Sequence, residues 1–276
     1  MGLTVNTNMA SVDAVTQLNK STTKLQTSFE RVASGLRINK AADDAAGLGV
    51  AENLATVHRS ARQAMRNTND GISIVSTAEG ATNEVSSILK RMRELAIQSS
   101  SETLGTTERG YIQDEFAELS AEVTRISNVT EFNGVQLANG NATQLSVQVG
   151  VNNTTNDRIQ LTLGDLRATV LGVHTSNVGL GTIASARAAI EAFDTALDSV
   201  NSNRSKFGAV QNRLMASLRN MEIYTENLQA AESRIRDADY AYETSEMAKN
   251  QILQQAGISV LAQAKQVNQG VLSLLG

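Results

Sequence analysis

The sequence predicts a mainly α protein: long antiparallel helices forming a rod or coiled coil, one β-hairpin, and N- and C-termini that pair with each other. Three observations predict it. Four apolar seams step alternately by three and four residues, the period of a helix face. Proline is absent from all 276 residues, where average usage of about 5% would supply roughly fourteen, and proline is the residue that breaks helices. One stretch between the seams changes to strict two-residue alternation, the period of a strand.

The first seam holds Val15, Leu18, Leu25, Phe29, Val32 and Leu36, with Thr22 as its polar member. The second runs through Ile74, Ala78, Ala81, Val85, Ile88, Met92 and Leu95 without an exception. A break at Gly105, with Thr106 or Thr107 able to cap, precedes the third, which holds Ile112, Phe116, Leu119, Val123 and Ile126. The fourth keeps one register from Ile183 to Ile235, interrupted by Arg204, Gln211, Thr225 and Glu232. Unbroken, it would span about 80 Å at 1.5 Å per residue. In "TQLSVQVGV", Leu145, Val147, Val149 and Val151 share one face; "NNTTND" (152–157) turns; Ile159, Leu161 and Leu163 alternate again. This predicts a β-hairpin near 143–163, followed by an irregular connection from Leu166 to Gly181.

The chain closes on a further helical seam, Val260, Ala264, Val267, Val271 and Leu274. Charge is scarce at both ends. Asp13 is the only charged side chain in residues 1–19, and Lys265 the only one from Asn250 onward. The two terminal seams can pair as an antiparallel coiled coil, yet one pair leaves much apolar surface uncovered, and such patches mark interaction sites. The expectation is that many copies bury these ends together. Isolated helices of this kind are marginal in water, so the ends are expected to be unordered in a lone subunit and helical in an assembly.

Composition removes other classes of function. Without cysteine there is no disulfide framework, thiolate metal site or cysteine nucleophile. Net charge is −4 with dispersed basic residues, which gives no nucleic-acid footprint. No apolar run is long enough to span a membrane. The opening has no basic n-region or apolar h-region of a signal peptide, and Gly2 lacks the Ser or Thr at position 6 that myristoylation needs. His58 and His174 stand beside no catalytic motif and read as solvated or packed side chains. Asp43 and Asp44 are adjacent, so they point to different sides of a helix and suit a helix start better than acid–base work. Asp237, Asp239 and Glu243 have a calcium-like spacing without the glycine and terminal glutamate of an EF-hand loop. No enzymatic activity, cofactor or metal is expected.

Particular stretches resemble bacterial flagellins. They are "VNTNMAS" (5–11), "FERVASGLRINKAADDAAGLGVAENL" (29–54), "NDGISIVSTAEGATNEVSSILKRMRELAIQSS" (69–100), "EFNGVQL" (131–137) and, most specific, the C-terminal "RIRDADYAYETSEMAKNQILQQAGISVLAQAKQVNQGVLSLLG" (234–276). The resemblance covers nearly the whole chain. It implies an inner coiled-coil domain from 1–44 and 236–276, a helical rod domain over 45–235, and a structural subunit that polymerises into the flagellar filament for swimming. The outer domains of many relatives are missing, because "LGVHTSNVGLGTIASARAAIEAF" passes directly to the returning helix; the filament should be thin and smooth. The alternative within the superfamily is a hook-filament junction protein, against which "SGLRINKAADDAAG" and "QILQQAGISVLAQA" argue.

The same resemblance implies an extracellular location after export through the flagellar secretion system without a cleaved signal peptide. Its implied partners are further copies of the chain, an export chaperone, the export apparatus, and the filament cap and junction proteins. A vertebrate Toll-like innate immune receptor is another, through "LKRMRELAIQ" (89–98) and "IQDEF" (112–116), where Arg91, Leu95 and Glu115 match. Leu95 also lies on the second seam, so core packing competes for it.

Overall fold

The structure is a computed structural model describing residues 8–272, and the side chains of residues 8–266. Among the described residues there are five α-helices: α1 (Met9–Ser34), α2 (Ala45–Ser99), α3 (Thr106–Val129), α4 (Ile183–Arg236) and α5 (Tyr240–Leu272). Four short strands, β1 (Glu131–Phe132), β2 (Val135–Gln136), β3 (Gln144–Gln148) and β4 (Arg158–Thr162), lie between α3 and α4. The mainly helical class read from the seams is the observed one. The chain divides into two compact units, residues 59–226 and the combined ends 1–58 and 227–276.

In the 59–226 unit, α2 buries one stripe without a gap: Ala61, Ala64, Thr68, Gly71, Val75, Ala78, Thr82, Val85, Leu89, Met92, Ala96 and Ser99. Its members step by three and four throughout, as a helix face must. Two are threonines, whose hydroxyls donate back to Ala64 O at 2.8 Å and Ala78 O at 2.7 Å. Satisfied in this way, they can be buried without the cost of an unpaired polar group. The stripe is therefore one residue off the purely apolar seam at Ile74, Ala81 and Ile88, which are only half-buried.

Two cores lie along this stripe. Val75 and Ala78 share one core with Phe207 and Leu214 of α4, whereas Val85 to Ala96 share the other with Ala186 to Val200. Rising numbers on α2 thus meet falling numbers on α4, and the two helices are antiparallel. Phe116 of α3 and Phe193 of α4 meet edge to face at the centre of the second core, with ring centroids 5.8 Å apart.

The α2–α3 connection is tied from within. Buried Arg109 donates to Ser99 O at 3.0 Å and Ser101 O at 2.8 Å. The N-cap of α3 is Gly105, and no side chain caps it, so neither Thr106 nor Thr107 takes the capping role expected of it. Thr106 is already inside the helix, where its hydroxyl no longer reaches forward to free backbone N–H groups.

The hairpin read from alternation is β3–β4, antiparallel, with Leu145 opposite Leu161 and Val147 opposite Ile159. Its apolar face packs on α2 so closely that a Cβ at Gly71 would sit 3.1 Å from both Val147 methyls. A second hairpin, β1–β2, joins through Asn133 and Gly134, whose φ values of 49° and 77° give the two-residue turn that follows sheet twist. Two-residue strands are too short to show alternation, and the Asn-Gly pair in "EFNGVQ" is the signal for them. The connection after β4 is irregular, as expected, but it is not a surface loop: Leu166, Ala168, Val173, Val178 and Leu180 are all buried in the second core.

In the unit formed by the chain ends, α1 and α5 are antiparallel. Asn8 Nδ2 donates to Ala264 O at 2.9 Å, and Arg31 Nη1 to Glu243 Oε1 at 2.9 Å, at opposite ends of the pair. The described parts of both ends are helical, as paired helices. Each supplies the other with the tertiary face that a solitary helix lacks. Phe193→Ala should lower the stability of the intact chain by about 3–5 kcal/mol, because it empties the middle of a close-packed core. Urea unfolding followed by circular dichroism measures it; a loss below about 1 kcal/mol would mean that the ring pair is not central.

Candidate assembly interface

The face that α1 turns toward α5 consists of Ser11, Ala14, Leu18, Ser21, Leu25, Ser28 and Val32, all half-buried or buried. The opposing face of α5 is Glu243, Met247, Asn250, Gln254, Gly257, Leu261 and Ala264. Both stripes alternate steps of three and four, so this is a two-helix seam with knobs and holes in register. Most of its members are small or polar; Leu18, Leu25, Val32, Met247 and Leu261 are the larger apolar ones. A Cβ at Gly257 would come within 3.4 Å of Leu18, which shows how close the backbones run.

The seam expected from hydrophobicity is thereby divided. Leu18, Leu25 and Val32 face α5, and half-buried Leu36 lies just beyond α1. Val15 (40% exposed) and Phe29 (63%) are turned away. On α5, Ala264 is in the seam, whereas Val260 is 54% exposed because Leu261 takes the inward position. Residue Leu274 and the side chains of Val267 and Val271 lie outside the described residues. Apolar residues outside the chain's own seam stay exposed at several angles around the two helices: Met9, Val12, Val15 and Phe29 on α1, and Ile252, Leu253, Ile258 and Val260 on α5. A groove of about 500 Å³ between the helices carries Ala10, Asp13, Leu18, Leu253 and Val260 on its walls.

The seam's far end holds an ion pair that sequence reading missed, between Arg31 and the almost fully buried Glu243. The spacing of these residues in the chain gives no sign of it; only the antiparallel register of α1 on α5 does. The helix breaks beside it are joined by main chain. Arg37 N donates to Arg236 O at 2.7 Å and Ala238 N to Gly35 O at 3.0 Å, which sets Leu36 opposite Asp237.

In the other unit, Arg91 and Glu115 form an exposed pair: Arg91 Nη2 donates to Glu115 Oε1 at 2.7 Å and Nε at 3.0 Å, with Glu94 a further acceptor at 3.3 Å. The third residue matched to the receptor surface, Leu95, is 1% exposed and packs in the core. It cannot itself touch a partner on that face, and its packing fixes the α2 turn that presents Arg91. His174 Nδ1 lies 2.9 Å from Ser176 Oγ in a local turn. Among the described residues no cluster of acidic, histidine or cysteine side chains could hold a metal ion, and no helix is long and apolar enough to cross a membrane.

Residues 5–143 match the family description of the bacterial flagellin N-terminal helical region, and residues 190–275 that of the C-terminal helical region. The chain belongs to the flagellin family. A flagellin of Halalkalibacterium halodurans is 43% identical over 271 residues, covering 98% of this chain and 99% of the relative. A Bacillus subtilis flagellin is 38% identical over 305 residues with the same coverage. The flagellar filament 33 kDa core protein of Treponema phagedenis is 38% identical over 283 residues, again covering 98% and 99%. Among solved structures, Bacillus cereus flagellin aligns with a TM-score of 0.50 at 31% identity, over 56% of this chain and 88% of that one. A putative flagellar hook-associated protein from Vibrio parahaemolyticus aligns at 0.59 over 71% of this chain and all of that one, but at 15% identity it shares the fold alone.

Within the flagellin stretch "SGLRINKAADDAAG" each polar group has a local structural task. Gly35 ends α1 at φ 71°, donating to Arg31 O at 2.8 Å. Asp44 starts α2 by accepting from Gly47 N at 2.8 Å. Lys40 pairs with Glu30 at 2.7 Å. Asp43 accepts from the N–H groups of Lys40 and Asn39, each at 3.0 Å, and these bonds hold its carboxyl below the ordinary value of 3.8. A lowered carboxylate stabilises the turn fully above its ordinary pKa and loses that effect as pH falls through the lowered one. The amide resonances of Asn39 and Lys40 should therefore titrate together with a midpoint below 3.8 and stop titrating in Asp43→Asn. A midpoint at or above that value would contradict the bonding.

Proposed function

We infer that this flagellin is a structural subunit, without enzymatic activity, that polymerises into the helical filament of a bacterial flagellum. The observation carrying the reading is the set of large apolar side chains on α1 and α5, Phe29, Ile252 and Val260 among them, that the described residues leave exposed. Burying a large apolar side chain is worth about 1.5–3 kcal/mol, so several such residues, repeated on every subunit, support a durable polymer. A subunit contact that does not close on itself propagates as a helical filament. The junction-protein reading has less behind it: the full-length relatives are flagellins and a filament core protein, and the hook-associated likeness is one of fold alone.

In this reading 1–44 and 236–276 form the inner coiled-coil domain of the filament, and 45–235 the helical domain bearing the hairpin. With no outer domains, the filament is thin and smooth. The subunit leaves the cell through the flagellar secretion system. A chaperone masks its terminal helices until then, and the junction and cap proteins bound the growing polymer. Val260→Asp or Phe29→Asp should abolish sedimentable filaments and swimming while the 59–226 unit keeps its helicity. Normal filament yield from cells carrying either variant would contradict burial of that residue between subunits.

We also propose that released subunits engage a vertebrate Toll-like receptor through Arg91 and Glu115, with Leu95 supporting them from the core. Arginine's planar fork offers several directional hydrogen bonds, which suits an interface anchor. Arg91→Ala should weaken receptor activation by monomer about tenfold or more, as an interface anchor's loss does, and leave polymerisation nearly intact. Unchanged activation by a double Arg91→Ala, Glu115→Ala variant would remove the assignment.

A further inference from the structure

Asp13 of α1 and Lys265 of α5 make no ion pair among the described residues. Asp13 stands on the wall of the groove between α1 and α5, beside Ala10, Leu18, Leu253 and Val260. Lys265 is exposed near the end of the described side chains of α5. The register of the seam keeps them apart. Asn8 meets Ala264, Leu18 meets Gly257 and Thr22 meets Gln254, so Asp13 lies opposite about residue 260. That is five residues from Lys265, about 8 Å along a helix, and no ion pair joins either of them to any described side chain.

We propose that Asp13 of one copy pairs with Lys265 of a second copy, whose α5 seats in this groove; the proposal rests on the filament reading above. The groove is mainly apolar, exposed Leu253 and Val260 stand on its wall, and its one charged member is acidic. The matching surface of a neighbour must be apolar with one base. The end of α5 fits this description, since Lys265 is the only charged residue after Asn250. Burying either charge alone in the joint between copies would be costly, and pairing them offsets part of that cost. A uniform apolar surface also lets helices slide by a turn. One buried polar or charged contact picks a single register, as it does in coiled coils. Every copy carries one acid and one base, so each repeat of an open polymer uses both once.

The test uses the full chain, dissociated to monomer and regrown on filament fragments, with the monomer left after sedimentation as readout. Asp13→Lys and Lys265→Asp should each raise that residual monomer about tenfold or more, as expected for loss of a close interfacial charge pair. The double variant should return to within about threefold of the unaltered chain, because the interaction is restored with its signs exchanged. An equimolar mixture of the two single variants should recover likewise, by alternating along the polymer, which a contact within one chain could not do. Far-UV circular dichroism checks that the variants fold; if a reversal does not, Asp13→Asn and Lys265→Gln replace it, with a smaller loss expected from either and no further loss when combined.

Single reversals that assemble normally overturn the pair, as do losses that neither the double variant nor the mixture repairs. An unaltered chain that never sediments overturns the filament reading and the pair with it.

Discussion

A helix can offer a given neighbour only one narrow stripe of its surface, and the structure of the terminal unit follows from what that stripe contains. Between α1 and α5 it holds serines, alanines, a glycine, Glu243, Asn250 and Gln254, with three larger apolar residues of α1 and Met247 and Leu261 of α5 among them. Such a seam lets two backbones approach closely and fixes their register through polar contacts such as Asn8 with Ala264 and Arg31 with Glu243. Other large apolar side chains, Phe29 and Val260 among them, are left exposed, and covering them takes a surface that the described residues do not supply.

The 59–226 unit is built on the opposite plan. Its helices bury a row of large side chains, among which Phe116, Phe193, Leu89 and Met92 are fully buried. Small residues occur where a second layer must come close, as at Gly71 under Val147. Even the irregular connection between β4 and α4 contributes to the core. Polar surface is tied by pairs such as Arg91 with Glu115 and Arg93 with Asp194, both exposed to solvent. Pairs of this kind add little to stability, but they set where directional hydrogen-bonding groups are presented.

Much of the fold was legible in the sequence because helical and strand periods are geometric. The four seams placed the helices, and the alternation at 145–149 and 159–163 placed β3 and β4. What hydrophobicity could not give was the direction each face takes. On α1, Val15 and Phe29 lie beside Leu18 and Leu25 on a helical wheel, so a scale that ranks by oiliness joins them into one stripe. The chain instead turns the small and polar flank toward α5, a choice visible only when both helices are aligned. Thr68 and Thr82 were missed for a related reason: hydroxyls that bond to their own helix behave as buried residues while reading as polar. The Arg31–Glu243 pair joins positions 212 residues apart, and the β1–β2 hairpin is too short for any period to register.

The two interruptions in the helices of the terminal unit, after α1 and between α4 and α5, are stitched to each other by main chain, with Leu36 set opposite Asp237. Neither is made by proline; Gly35 and the capping carboxylate of Asp239 make them. Because each break supplies the other's hydrogen-bond partners, their positions are coupled like teeth on two meshed combs. Adding or removing one residue on either side would not simply move a bend. It would unmesh Arg37 from Arg236 and Ala238 from Gly35 together, and would rotate the helix beyond it by about 100°, since 3.6 residues make a turn. Chain length near residues 35 and 237 is thus constrained as tightly as composition is elsewhere, though neither segment contains a hydrophobic cluster to announce it.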